Sequence, residues 1–195
     1  MSSDIIVIGN SWSIPSQEAP KPAFDILGLK NRWEKPGITL DAQAEYILKN
    51  QLLERFKVVW LIGHFHCADP RGNGDYLLPY HWGHGDIWGK LVQDLWFKKI
   101  TKKAWYWRTN ALYVKAVLAD ATPENLLMIP VYRPNIIDHE LIEDNPCIWR
   151  CYLRDYTKKF PDGRGHMNQA GHKAFAPALA SEIFSRWKIT LQMNG

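Results

Sequence analysis

The chain has 195 residues, 46% of them apolar and 23% charged, with a formal net charge of +4. That is enough for one domain with a sizeable core, and too mild a charge to mark a nucleic-acid binder. No apolar stretch approaches the length of a membrane span, and "MSSDIIVIG" lacks the basic start and long apolar run of a signal peptide. Cys67, Cys147 and Cys151 have no framework spacing, so reduced thiols and a cytoplasmic setting are expected.

"DIIVIG" (Asp4 to Gly9) is a short continuous apolar run stopped by Gly, the pattern of a buried parallel strand. "SIPSQEAPKP" (Ser13 to Pro22) reads as a loop, with three prolines. "AFDILGL" (Ala23 to Leu29) is a weaker strand candidate. Asp41 opens a helix whose Ala44, Leu48, Leu52 and Phe56 recur every four residues. "KVVWLIG" (Lys57 to Gly63) is a firm strand, again ending at Gly. A long loop follows at about residues 64–86, and loops of that length are usually functional or lids. Asp86 can cap the next helix, with Trp88, Leu91, Val92, Leu95 and Trp96 on one stripe. Thr101 can cap another, carrying Ala104, Trp107, Ala111, Val114 and Leu118. "NLLMIPVY" (Asn125 to Tyr132) is a third firm strand. Cys147 and Cys151 are spaced to share a helix face, but no second pair lies near enough for a zinc site. The last helix carries Phe175, Leu179, Ile183 and Trp187 on one face, with a kink or a start expected at Pro177.

Strands ending at Gly and alternating with amphipathic helices imply an α/β sandwich with a mainly parallel sheet. In such sheets ligands bind beyond the carboxyl ends of the strands. Three segments meet at that edge: Gly9 onward, Gly63 onward and the loop after Tyr132. "IVIGNSWS" (Ile6 to Ser13) puts Ser11 on the turn after a strand. "FPDGRGHMNQAGH" (Phe160 to His172) puts Asp162 and His166 on a loop before the last helix. Serine is a poor nucleophile until a base takes its proton, and His166 is placed to be that base. His172 reads as a helix-face residue, and His81 and His84 as lining or supporting the long loop.

Gly9-Asn10-Ser11-Trp12-Ser13 and "HMNQAGH", in this order at the two ends of the chain, resemble the first and last blocks of the SGNH (GDSL-type) hydrolases. The resemblance implies a three-layer αβα fold of flavodoxin-like type over residues 1–195, and ester hydrolysis by a Ser-His-Asp site with no metal or organic cofactor. It carries Ser11 over as nucleophile, His166 as general base and Asp162 as its orienter. Gly37 fits the second block as an oxyanion donor, in preference to Gly28. The chain departs from the family in three places. Asn10 stands where the first block has Asp. Asp162 precedes His166 by four residues rather than three. The third block, Gly-x-Asn-Asp, is absent after Gly63, which leaves His64, His66 and Asn73 as candidates for the third oxyanion donor, His64 first.

The substrate implied is a small acyl ester, with the ten Trp the hint toward an O-acetylated saccharide, since indole rings stack on sugars. Such families include phage-encoded and bacterial members without signal peptides, so a virion-associated setting is also open. Two rival readings accompany this one. A carbohydrate-binding relative without activity would account for the Trp and the missing Asn. "GHFH" also resembles the Gly-His-x-His block of metal-dependent phosphoesterases, but the other metal blocks of that family are missing. "FKKITKKAWYWR" (Phe97 to Arg108), the most basic stretch, reads as a helix with a solvated basic face rather than a polyanion site.

Overall fold

Four strands form one parallel sheet in the order β2-β1-β3-β4, in a computed structural model that describes residues 4–35, 38, 40–63, 103–131, 145–163 and 165–194. The strands are β1 (Ile5–Gly9), β2 (Arg32–Glu34), β3 (Lys57–Ile62) and β4 (Leu126–Pro130). The helices, in chain order, are α1 (Ala23–Ile26), α2 (Leu40–Lys49), α3 (Leu52–Arg55), α4 (Lys103–Ala119), α5 (Leu153–Lys159) and α6 (Gln169–Trp187). The long loop and the helix expected after Asp86 lie outside the described residues.

Strands β1, β3 and β4 are apolar apart from Lys57 because both faces of the sheet are covered there. Alternate residues feed two separate cores. Ile5, Val7, Val59, Leu61, Leu127 and Ile129 pack with α1 and with Phe175, Leu179 and Ile183 of α6. Ile6, Ile8, Val58, Trp60, Ile62, Leu126 and Met128 pack with Leu40, Ala44 and Ile47 of α2 and with Val114 and Val117 of α4. The fold is therefore α/β, with helices on both sides of a parallel sheet. In-register pairing of Val7 with Val59 and of Val59 with Leu127 brings Gly9 and Gly63, the residues that end β1 and follow β3, to the same edge.

Four local expectations are corrected. "AFDILGL" is a helix, not a strand. A short apolar run buried on every side does not reveal its period, and here Gly28, at φ +66°, ends the helix. The Leu29 N–H bonds the Phe24 carbonyl and the Gly28 N–H the Asp25 carbonyl, the paired bonds of a Schellman end. The helix opened near Asp41 stops at Lys49. Asn50 Nδ2 donates to the Tyr46 carbonyl at 2.9 Å, Gln51 turns left-handed, and Leu52 restarts as α3. Cys147 and Cys151 do not share a helix. Asn145 Oδ1 accepts the Cys147 N–H, and the segment instead lies beside β4, where the Met128 N–H bonds the Cys147 carbonyl. Both thiols are free. The last helix does not start at Pro177 but runs through it from Gln169, and Asn168 caps it by accepting the Gly171 N–H at 3.1 Å. Strand β2 had no signal in the sequence, being three half-buried residues on a sheet edge. No helix among the described residues is long and apolar enough to cross a membrane.

Candidate active site

β1 ends in a tight turn. The Asn10 carbonyl accepts the Ser13 N–H at 2.9 Å and the Ser13 hydroxyl at 2.7 Å. The Asn10 side chain folds back so that Oδ1 accepts the Trp12 N–H at 3.1 Å, an Asx turn within the backbone turn. Ser11 is left at the crest. Gly9 is required by space, because a Cβ there would run into the Ser13 hydroxyl. Gln43 of α2 fixes the same point from the other side of the sheet. It is 1% exposed, its Nε2 donates to the Gly9 carbonyl at 2.9 Å, and its Oε1 accepts the Trp60 indole N–H at 3.0 Å.

The second segment is a closed hairpin. The Asp162 N–H bonds the His166 carbonyl, and the Asn168 N–H the Phe160 carbonyl. Gly163 and Gly165, at φ +79° and +96°, supply the left-handed residues that the reversal needs. This is how the one-residue-longer spacing between Asp162 and His166 is accommodated: the two face each other across a hairpin. Arg154 of α5 braces it, donating to the Gly165 carbonyl at 3.0 Å.

The hairpin brings His166 Nε2 to 2.9 Å from the Ser11 hydroxyl oxygen, 155 positions away in the chain. Asp162, its side chain 2% exposed, sits behind the ring, with Oδ2 3.7 Å from Nδ1. That is too long for a full hydrogen bond, but the charge favours the tautomer with its proton on Nδ1, leaving Nε2 free to accept. The other oxygen, Oδ1, accepts the His166 backbone N–H at 2.9 Å, so one carboxylate ties both the loop and the ring. The Trp12 indole lies tilted against the imidazole, ring centres 4.9 Å apart. Burial lowers the His166 pKa from its ordinary value, Asp162 opposes this, and Arg154 adds to it. The imidazole is therefore neutral at neutral pH, the state a base must hold.

The remaining polar residues of "HMNQAGH" do structural work. Gln169 clamps the Lys21 backbone twice, Oε1 accepting its N–H at 3.0 Å and Nε2 donating to its carbonyl at 2.7 Å. His172 is buried, as expected of a helix-face residue, and its Nδ1 accepts the first N–H of α1, that of Ala23, at 3.3 Å. Burial, with smaller help from His166, lowers its pKa to about 4. Glu34 closes the floor beside Gly9. Its Oε2 is buried with no hydrogen-bond partner among the described residues, and burial raises its pKa against the pull of Ser13 and Arg32.

Of the residues singled out in the sequence, Ser11, His166 and Asp162 come together. Gly37, His64, His66 and Asn73 lie outside the described residues. Gly28 does not join the site: it lines a cavity of about 670 Å³ with Asp4, Lys188 and Asn194, and Asp4 precedes β1 whereas the site follows it. Among the described residues no three His, Cys, Asp or Glu side chains cluster as a metal would require. Gln43, Trp12 and Arg154 were missed. Gln43 carried one signal, a polar residue at a helix position next to an apolar run, and the other two carried none.

No family model matches the chain, and no curated protein does. Among solved structures, the C-terminal catalytic domain of peptidoglycan O-acetyltransferase A (OatA) from Streptococcus pneumoniae, with a methylsulfonyl adduct, is similar over 97% of both chains, at 15% identity and a TM-score of 0.39. A likeness that loose carries no weight for activity.

Proposed function

We propose that this chain is a serine esterase acting on small acyl esters, with O-acetyl groups on a saccharide as the favoured class. The observation that carries it is the 2.9 Å contact between the Ser11 hydroxyl and His166 Nε2, backed by a buried carboxylate beside Nδ1. Three groups from two distant segments, each held by its own hydrogen bonds, form the nucleophile, base and orienter of acyl transfer.

In this reading Ser11 Oγ attacks the ester carbonyl carbon as its proton passes to His166 Nε2. The carbonyl π pair moves onto oxygen, giving a tetrahedral oxyanion. On collapse the C=O re-forms, the C–O bond to the alcohol breaks, and His166 returns its proton to the leaving oxygen. Water, deprotonated by His166, then repeats the addition on the acyl-Ser11 ester, releasing the acid and restoring the serine. Asp162 holds the imidazole tautomer and offsets part of the charge of the imidazolium. Gly37, His64, His66 and Asn73 remain the proposed donors from outside the described segments. Trp12, buried in the core at 6% exposure, packs against the His166 ring and supports it.

The test is turnover of p-nitrophenyl acetate with and without EDTA. Turnover insensitive to EDTA is expected, and Ser11→Ala and His166→Ala should each remove most of it without additivity, because the two act as one unit. A fluorophosphonate should label Ser11 alone. Turnover lost to EDTA and restored by manganese would instead support a phosphoesterase, and tight oligosaccharide binding with no turnover would support a binding module.

A further inference from the structure

The turn that presents Ser11 carries a hydrogen-bond donor with no acceptor among the described residues. Asn10 is 7% exposed, and its Oδ1 is committed to the Trp12 N–H. An N–H can be met only by an acceptor, so that bond fixes the amide orientation and points Nδ2 away from the turn. Nδ2 then faces the neighbouring strand's end, where a Cβ added to Gly63 would lie 3.2 Å from it. Gly63 directly follows β3, so Nδ2 stands at the carboxyl edge of the sheet between β1 and β3. Among the described residues it has no acceptor. The adjacent Ser11 N–H likewise has no backbone acceptor there. Two donors on consecutive residues of the turn that carries Ser11 are thus left without an acceptor among the described residues.

We infer that the Asn10 side-chain amide is an oxyanion donor for acyl transfer at Ser11, acting together with the Ser11 N–H. The inference rests on the esterase reading above. As Ser11 Oγ bonds to the carbonyl carbon and its proton moves to His166, negative charge collects on the carbonyl oxygen. Donors stabilise it most when they are aligned before the charge appears. Asn10 meets that condition: its side chain is locked by the Trp12 N–H, and its backbone is held through the Gly9 carbonyl by Gln43. The identity of the residue matters for a simple reason. An Asp at position 10 could also accept the Trp12 N–H, but it would hold a carboxylate, not an N–H, beside the developing oxyanion.

Kinetics on p-nitrophenyl acetate test this with Asn10→Asp and Asn10→Ser, both of which keep an oxygen for the Trp12 N–H. Each should lower kcat by about a hundredfold or more with KM changed only a few-fold. A trifluoromethyl ketone, which adds to a serine as a tetrahedral oxyanion, should lose affinity in step with kcat. Wild-type kcat in either variant, or a lower kcat with undiminished ketone affinity, overturns the inference and leaves Asn10 as a turn anchor. In the wild-type protein itself the ketone should move the Asn10 side-chain N–H resonances downfield in NMR, and unmoved resonances overturn it whatever the variants do. A dead Ser11→Ala beside a fully active Asn10→Asp defeats this inference alone. Equal activity of Ser11→Ala and wild type defeats the esterase reading and takes the Asn10 role with it.

Discussion

Asp162 does two jobs through two oxygens, and the longer of its contacts is the chemical one. With Oδ2 3.7 Å from His166 Nδ1, its influence on the ring is electrostatic, whereas Oδ1 bonds the His166 N–H directly. Asp162→Asn keeps an acceptor for that N–H and removes the charge. The imidazolium then loses its partner, so kcat should fall by about tenfold to a hundredfold, less than for Ser11→Ala. The pH profile gives an independent check. Burial already lowers the His166 pKa below its ordinary value of 6.5, so the acidic limb of kcat/KM should lie below that pH in the wild type. Since the Asp162 charge raises the pKa, Asp162→Asn should move the limb further down. A limb that moves up in the variant would contradict this account of the pair.

At the scale of elements, one side chain joins three of them. Gln43 projects from α2, bonds the last carbonyl of β1 and accepts the indole N–H of β3. Gln43→Leu would bury the Gly9 carbonyl and the Trp60 N–H unpaired, at about 1–3 kcal/mol each. Urea melts should therefore show a loss of roughly 2–6 kcal/mol. Gln43→Glu keeps an acceptor for Trp60 but sets a carboxylate against the Gly9 carbonyl, and should not restore stability at neutral pH. The turn at Ser11 starts immediately after Gly9, so activity measured below the melting range should fall along with stability. A Gln43→Leu protein of wild-type stability would mean that water takes over both bonds.

Across the whole molecule the two ends of the chain are fastened to one another. Gln169 and His172 at the start of α6 hold Lys21 and Ala23, and the Gln169 N–H bonds the Glu18 carbonyl. The loop of Ser13 to Pro22 is thus clamped by the same short motif that carries His166. That clamp depends on a neutral His172. Its native pKa of about 4 lies below the ordinary value of 6.5, so the unfolded chain takes up the proton first. The resulting stabilisation is complete above pH 6.5 and is lost as the pH falls toward about 4, where native His172 protonates and the loss stops growing. The loss is roughly 3 kcal/mol over that window. Urea melts at about pH 7 and about pH 4.5 should show it, and His172→Gln, which cannot titrate, should flatten the difference.

Strands β1, β3 and β4 and the convergence of Ser11 with His166 were legible from the chain alone because they depend on local or composition-level rules. A parallel strand buried on both faces needs a run such as "IIVIG" or "VVWLI", and the β-branched residues in these runs favour strand over helix. Ser11 directly follows β1 and so lies at the carboxyl edge of such a sheet, within reach of a loop histidine before the last helix. Other features have no local signature. Whether "AFDILGL" is helix or strand depends on burial on all sides, which the tertiary structure supplies. The Asp162–His166 spacing is explained only once Gly163 and Gly165 close a hairpin. Asn168, Gln169 and His172 belong to the motif that carries His166, and only their partners, at Gly171, Lys21 and Ala23, show them to be a cap, a clamp and a brace. Gln43 and Asn10 acquire meaning only when β1, α2 and β3 meet. Sequence determined which residue types were available for chemistry, since that is a property of side chains. Tertiary structure decided which of them face each other, since distance and burial are set by how remote segments pack.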